Sequence, residues 1–277
     1  MDLNSGLRSI AAQMLERGEV ELVVGYGASE LPGKATPVFA MTAGETAKLI
    51  FDPTCNIMLA KYLLRYKGKK VGVVAKPCDT RAIAGYIVER RLNREDVKII
   101  GVDCRGMSDN SACSECSVRK PVIFDYRVGE TVEVSPDVTG EPSIKKVEKM
   151  TSGDRWDYIA GEFSKCIKCY ACRQACYLCY CSKCFTDRNQ PEWTGKGTTL
   201  GDIMAYHMTR AMHTAGRCIN CGICESVCPM GIKTRLLTSR LYYDVKELYG
   251  YEAGLDTEEK PALTDYKPDD DQKDFMD

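Results

Sequence analysis

The sequence predicts an α/β fold with a mostly parallel sheet in its first half, followed by a smaller, cysteine-rich domain. Two observations predict the sheet: apolar segments of strand length alternate with amphipathic segments of helix length, and they follow one another in β-α-β order. A third observation separates the halves, because five of the 16 cysteines are spread over the first half and eleven lie within residues 166–228. We therefore predict domains at 1–150 and 151–250, followed by an acidic tail at 251–277.

The individual elements follow from hydrophobic periodicity and turn residues. Helices are predicted over 7–15, 56–66, 80–91, 157–165 and 198–216. Strands are predicted over 20–24, 70–75 and 97–102, with a hairpin around Gly129-Glu130 that includes 122–126 and 131–134. Ligands collect at the carboxyl ends of parallel strands, so we expect Cys78 and Cys104, which follow two of these strands, to meet there.

Composition and charge exclude several classes of protein. Lys and Arg number 38 against 39 Asp and Glu, so the formal charge of −1 offers no electrostatic reason to expect nucleic acid as a partner. No segment approaches the roughly 18 consecutive apolar residues of a membrane span, and the N-terminus has no apolar signal segment, so we expect a cytoplasmic protein. Residues 255–277 hold nine acids against three lysines, which predicts a mobile tail. The two histidines, His207 and His213, are expected to be structural, and no catalytic residue is predicted.

The strongest motif is C-x2-C-x2-C-x3-C-P from Cys218 to Pro229, the run by which ferredoxins hold cubane clusters. Residues 166–176 repeat it without the closing proline, which predicts a ferredoxin-like α+β domain with two 4Fe-4S clusters. In such runs the fourth cysteine reaches the other cluster. The expected ligand sets are therefore Cys166, Cys169, Cys172 and Cys228 for one cluster, and Cys218, Cys221, Cys224 and Cys176 for the other. A pair of zinc sites is the alternative, although zinc sites rarely take this spacing.

Three further cysteines, Cys179, Cys181 and Cys184, lie too densely for inert core residues. They are candidates for a fourth cubane with Cys55 as the distant ligand, or for free or regulatory thiols. Cys55 precedes a predicted helix, and the lowered thiol pKa expected at a helix N-terminus suits ligation and reactivity equally. In the first half, Cys113 and Cys116 form a close C-x2-C pair that could complete a four-cysteine site with Cys78 and Cys104. The alternative is that Cys78 is a lone structural or reactive cysteine.

Residues 74–83 (VAKPCDTRAI), 101–104 (GVDC) and the pair at 113–116 resemble the N-terminal part of the beta-subunit family of coenzyme F-420 hydrogenases and dehydrogenases. The resemblance implies that Cys78, Cys104, Cys113 and Cys116 bind a 4Fe-4S cluster. Family members carry a long second region that helps bind FAD and the deazaflavin, whereas this chain passes soon after Cys116 into the cysteine-rich block. The shortened form is similar to iron–sulfur subunits that accompany heterodisulfide-reductase-like, formate dehydrogenase or hydrogenase modules in anaerobes.

The resemblance implies a multi-subunit complex in which this chain relays single electrons between a partner flavoprotein and another redox subunit. Three clusters are expected, or four if Cys55 and residues 179–184 bind one. The enzyme alternative is a subunit that holds FAD and reacts directly with coenzyme F-420 or a nicotinamide, and a zinc-stabilised scaffold is a third hypothesis. The cations Lys165, Lys168 and Arg173 flank the first run and are expected to raise the cluster potential.

Overall fold

The computed structural model describes residues 2–130 and 143–262. The helices are α1 (Leu3–Glu16), α2 (Ala60–Leu63), α3 (Pro77–Val88), α4 (Ser143–Glu148), α5 (Ser152–Phe163), α6 (Ala171–Ala175), α7 (Leu200–Thr214), α8 (Ile223–Ser226) and α9 (Arg235–Tyr249). The strands are β1 (Leu22–Ala28), β2 (Ala35–Ala40), β3 (Val71–Ala75), β4 (Val97–Val102) and β5 (Tyr126–Val128). Short 3-10 helices connect several of these elements, among them Ser111–Glu115.

The strands form one sheet of order β2-β1-β3-β4-β5. β1, β3, β4 and β5 are parallel, and β2 pairs antiparallel with β1 at one edge. The predicted, mostly parallel α/β sheet is thus confirmed. In the central pair, Ala75 lies opposite Gly101, so the carboxyl ends of β3 and β4 are adjacent. This register brings the segments that follow the two strands to the same edge of the sheet.

Some predicted elements differ in extent. The helix expected over 56–66 is reduced to α2 and a 3-10 turn, because the amide of Ala60 donates to the Asp79 side chain and begins the helix there. The β-prone segment 122–126 contributes only its last residue to β5, which pairs parallel with β4. The second arm of the expected hairpin, 131–134, lies outside the described residues. Residues 143–262 contribute helices and loops, with no strand in the part described.

The largest hydrophobic core extends across both halves of the chain. Tyr177 and Ile219, from the two cysteine-rich segments, are buried with the residues of the sheet. Residues 251–254, which we placed in the acidic tail, are packed rather than free: Tyr251 is buried, and the Arg81 guanidinium donates to the carbonyl oxygen of Ala253 at 2.7 Å. The remainder of the predicted tail, from 263 on, lies outside the described residues. No described helix has the length and apolar character needed to cross a membrane.

Candidate metal centres

Four cysteines of the first half surround one cavity at the carboxyl ends of β3 and β4. The cavity has a volume of about 120 Å³, and its lining includes Cys78, Cys104, Cys113 and Cys116, here called the inner quartet. Cys78 lies in the first turn of α3 and Cys104 follows β4 by two residues. Cys78 and Cys104 therefore meet at the edge of the sheet, as expected.

Two backbone amides of the inner quartet's loop point at cysteine sulfur atoms. The amide of Gly106 donates to Cys104 Sγ, and the amide of Met107 donates to Cys113 Sγ, each at 3.3 Å. Burial raises the pKa of Cys78, the Lys76 ammonium opposes that effect, and the charges of Cys104 and Cys113 raise the pKa further. These thiols are close enough to repel one another as thiolates, so a cationic centre is needed to hold them deprotonated together.

A buried lysine lies directly beside the inner quartet. Lys76 Nζ forms an ion pair of 2.7 Å with Asp79 and donates to the Tyr26 hydroxyl at 2.6 Å. Burial alone would lower the pKa of Lys76, but the charges of Asp79 and then Cys78 raise it, so the ammonium stays protonated. The result is a buried ammonium, paired with Asp79, that lines the same cavity as the four cysteines.

The two ferredoxin-like runs share one backbone path. Lys168 and Asn220 occupy the same position in their runs, and both have positive φ, 52° and 54°. Their amides donate to the first cysteine of the run, Cys166 or Cys218, at 3.4 Å in both cases. Two residues on, Tyr170 and Gly222 are again left-handed, at 60° and 73°, and each precedes a short helix, α6 or α8. The sequence repeat is thus also a structural repeat.

Cysteines of the two runs affect one another's pKa across the runs, and Cys176 also interacts with Cys179, which lies outside them. Burial raises the pKa of Cys166, and the charges of Cys169 and Cys228 add to the effect. Burial likewise raises the pKa of Cys218 to about 12, with Cys176 and Cys224 contributing. We name the outer quartet Cys166, Cys169, Cys172 and Cys228, and the middle quartet Cys176, Cys218, Cys221 and Cys224. A small cavity is lined by all four cysteines of the middle quartet.

The middle quartet touches both of the others. Cys221 lines the cavity of the inner quartet. Burial is the largest cause that raises the pKa of Cys221, and the charge of Cys78 is the second. On the other side, burial raises the pKa of Cys172 of the outer quartet, and Cys224 of the middle quartet adds to it. The three quartets therefore follow one another in the order inner, middle, outer.

A buried arginine tests whether these sites fit a negatively charged cluster. Arg210, on α7, is 7% exposed, and its Nε atom has no hydrogen-bond partner among the described residues. Its Nη2 atom donates to the carbonyl oxygen of Cys172 at 3.2 Å, which places the guanidinium between the runs. A buried cation without a counter-charge is strongly unfavourable, so this position fits an anionic group held by the surrounding thiolates.

Each quartet offers four cysteine thiols as ligands. Within residues 2–130 and 143–262, no three His, Cys, Asp or Glu side chains converge on a point where a single ion could bind. The inner and middle quartets instead enclose space between their thiols. Four thiolates around a central volume are the donor set that cubane clusters use.

The remaining cysteines fall into two separate places. Cys179, Cys181 and Cys184 line a third cavity of about 420 Å³, whose lining also includes Arg173. Cys55 is buried elsewhere, where its sulfur accepts from the Asp52 amide at 3.4 Å, and burial raises its pKa to about 12. None of the contacts described for Cys55 reaches the other three, and a fourth cluster shared by these residues stays a prediction.

Three residues that the sequence analysis missed or treated as structural lie against the quartets. His207 Nε2 lies 3.3 Å from Cys166 Sγ, and burial lowers its pKa to about 4, so the ring is neutral at pH 7. Lys76 and Arg210 are the other two. His207 and Arg210 are three residues apart on α7, so they share one face of the helix, and in the fold that face meets the runs. Of the three methionines on the same helix, Met204 is buried, whereas Met208 and Met212 are more than half exposed.

Comparison with known proteins gives one matching family model and several related proteins. Residues 213–234 match the 4Fe-4S binding domain family. The chain is 32% identical over 302 aligned residues to the F420-dependent formate dehydrogenase subunit beta of Methanocaldococcus jannaschii, covering 74% of this chain and 78% of that protein. It is 34% identical over 116 residues to the F420-dependent formate dehydrogenase 1 subunit beta of Methanococcus maripaludis, covering 42% and 28%. A chain of the F420-reducing NiFe hydrogenase complex from Methanosarcina barkeri matches with a TM-score of 0.32 and 22% identity over 35% of this chain and 36% of that one.

The cysteine runs and the matching domain define an iron–sulfur protein of the 4Fe-4S class. By its similarity along most of both chains to the M. jannaschii protein, this chain belongs to the family of F420-dependent formate dehydrogenase beta subunits. These matches confirm the family resemblance seen in the sequence. They also confirm that a 4Fe-4S domain is fused to the part of the chain that carries it.

Proposed function

We propose that this protein is an electron-transfer subunit of an oxidoreductase complex and passes single electrons along three 4Fe-4S clusters. The inner, middle and outer quartets would each hold one cluster. When bound, such clusters supply reversible one-electron oxidation and reduction. The observation that carries the proposal is the position of Cys221, a middle-quartet cysteine that lines the cavity of the inner quartet.

The protein's own residues have two tasks in this proposal. The first is to position the thiols, which α3, the loop after β4 and the two repeated runs perform. The second is to balance charge, because each quartet concentrates negative sulfur ligands in a buried place. Lys76 beside the inner quartet and Arg210 between the other two supply fixed positive charge, and the amides of Gly106 and Asn220 donate to sulfur. Hydrogen bonds and nearby charge are the means by which proteins set cluster potentials.

The outer quartet is the natural contact point for a redox partner. Cys169 is exposed, and Ile167 beside it is 57% exposed, whereas Cys78 and Cys221 are half-buried. Of the nearby cations, Lys165 pairs with Glu162 at 2.6 Å and Lys168 donates to the carbonyl oxygen of Gly195 at 3.0 Å, so exposure rather than free positive charge marks this surface. We propose a flavoprotein and another redox subunit, such as a formate dehydrogenase, hydrogenase or heterodisulfide-reductase-like module, as the two partners.

A second candidate function is a flavin-containing subunit that reacts directly with coenzyme F420 or a nicotinamide. The observation in its favour is the family itself, whose relatives are described as F420-dependent formate dehydrogenase subunits. In this second function the chain would bind FAD, and the flavin content of the purified protein distinguishes the two functions.

The test is the content of iron, acid-labile sulfide, zinc and flavin per chain in anaerobically purified protein. The proposal expects about twelve irons and twelve sulfides, without stoichiometric flavin or zinc. About sixteen irons would add the cluster at Cys55 and residues 179–184. Stoichiometric FAD would replace the relay by the enzyme alternative, and zinc without sulfide would overturn the redox function.

A further inference from the structure

Arg210 occupies the space between the two repeated runs. It lies on α7, and its guanidinium borders the small cavity of the middle quartet as well as the cavity lined by Cys179, Cys181 and Cys184. The side chain is 7% exposed. Its Nη2 atom donates a hydrogen bond of 3.2 Å to the carbonyl oxygen of Cys172, and the guanidinium also interacts with the Cys179 side chain.

The charged groups around Arg210 are thiolates rather than carboxylates. Burial disfavours its charge, and the largest opposing effects, which keep its pKa raised, come from Cys224, Cys176, Cys172 and Cys179. Two other arginines near the runs have acidic partners: the buried Arg235 pairs with Glu115 at 2.7 Å, and the half-buried Arg217 pairs with Glu89 at 2.6 Å. Arg210 instead leaves Nε without a partner in the described part of the chain.

A cation in this place changes the energy of adding an electron. Reduction of a cluster adds one negative charge, and a fixed positive charge nearby stabilises the reduced form more than the oxidised form. The effect is large where water is excluded, because screening is weak there. Two thiolates of the middle quartet, Cys224 and Cys176, lie beside Arg210, but only one, Cys172, belongs to the outer quartet.

We propose that Arg210 is a positioning residue that raises the reduction potentials of the middle and outer clusters together, the middle one more strongly, while it leaves the inner cluster unchanged. The inference rests on the proposed function, since it requires clusters in these quartets. It goes beyond that function by assigning one side chain the task of setting the potential difference between two adjacent centres. Lys76 takes no part in this, because it lies beside the inner quartet.

The experiment is a redox titration of the full chain followed by electron paramagnetic resonance, with iron counted in every sample. The variants are Arg210→Gln, which removes the charge, Arg210→Lys, which keeps it, and Arg188→Gln, which removes an exposed charge from the same half. For Arg210→Gln we expect the ratio of reduced to oxidised middle cluster to fall by about tenfold at a fixed potential, which is about 59 mV for one electron. The same ratio should fall by less for the outer cluster, and it should not change for the inner cluster.

The matched variants make the outcome decisive. Arg210→Lys should restore most of the wild-type potentials, and Arg188→Gln should leave all three unchanged. Equal potentials in Arg210→Gln and wild type, with iron retained in both, would overturn the role of Arg210 and leave the relay intact. Loss of iron from both Arg210 variants would also overturn it, because the residue would then serve assembly. Absence of iron from the wild type would overturn the proposed function itself.

Discussion

The side-chain amide of Asn110 donates a hydrogen bond of 2.9 Å to the carbonyl oxygen of Cys221. This contact ties the loop of the inner quartet to the second cysteine run at the point where the two quartets meet. The backbone next to it is equally close, because a β-carbon added to Gly222 would overlap both Asn110 and Ala112. Gly222 also has a φ of 73°, so its lack of a side chain serves conformation and proximity together.

Replacement of Gly222 by Ala should therefore separate the inner and middle quartets. A left-handed alanine alone costs about 1–2 kcal/mol, and the steric overlap adds to this. The matched control is Gly231→Ala, which has a similar φ of 62° but open space around its β-carbon. Anaerobic thermal unfolding and iron analysis should show a greater loss of stability and of iron in the Gly222 variant. Equal effects of the two substitutions would show that conformational strain, rather than the close approach, matters at Gly222.

Replacement of Cys116 by Ala should remove the inner cluster alone. Cys116 belongs to the inner quartet, whereas the ligands of the other two clusters come from the repeated runs. We expect iron to fall by about four per chain, with the two remaining paramagnetic signals unchanged. Cys181→Ala is the control, since Cys181 is exposed and lies outside the three quartets. If all signals disappear together in Cys116→Ala, the inner cluster is not an independent centre.

The ion pair between Arg217 and Glu89 should stabilise the contact between the two halves. Nε and Nη2 of the arginine reach the two carboxylate oxygens at 2.6 and 2.7 Å, and the Tyr180 hydroxyl donates to the same carboxylate at 2.8 Å. A double-mutant cycle with Arg217→Gln and Glu89→Gln should give a coupling energy of about 1–3 kcal/mol in the free energy of unfolding. The exposed pair of Lys34 and Asp109 is the comparison, and it should give less than about 1 kcal/mol. A coupling as small as in that pair would mean that the halves are held by apolar packing alone.

Alkylation should distinguish Cys55 from Cys181 in the native protein. Burial raises the pKa of Cys55 to about 12, so almost none of its thiol is ionised at pH 8, and its side chain is inaccessible. Cys181 is exposed. Because the thiolate is the nucleophile, mass spectrometry after treatment with iodoacetamide should find Cys181 modified first and Cys55 last, with Cys55 gaining reactivity only as the pH approaches its pKa. Fast modification of Cys55 would contradict the buried, neutral thiol, and protection of Cys181 would support a metal ligand there.

The sequence was most informative where local pattern alone determines structure. The apolar run at 97–102 coincides with β4, and the spacing of the cysteines in the two runs specifies a repeated backbone path with left-handed residues at equivalent positions. The meeting of Cys78 with Cys104 followed from a general property of parallel sheets. These features depend on short stretches of chain or on rules of topology.

The rest depended on partners distant in sequence. The start of α2 is determined by Asp79, which accepts from the amide of Ala60, nineteen positions earlier. Neither the burial of Lys76 nor that of Arg210 has a local sign, since a single cation in a helix or at a strand end is usually solvated. The packing of residues 251–254 against Arg81 was likewise hidden, because the acidic composition beyond them suggested a free tail.

Cys221 belongs to the middle quartet and lines the cavity of the inner quartet, so in the proposed pathway the three clusters are connected in series. A molecule that lacks the middle cluster then holds two isolated centres, each able to take up an electron but unable to exchange it with the other. Two preparations with the same average iron content can consequently differ widely in throughput, according to which site was left empty. In the proposed relay, occupancy of each site, rather than total iron, is therefore the quantity to measure.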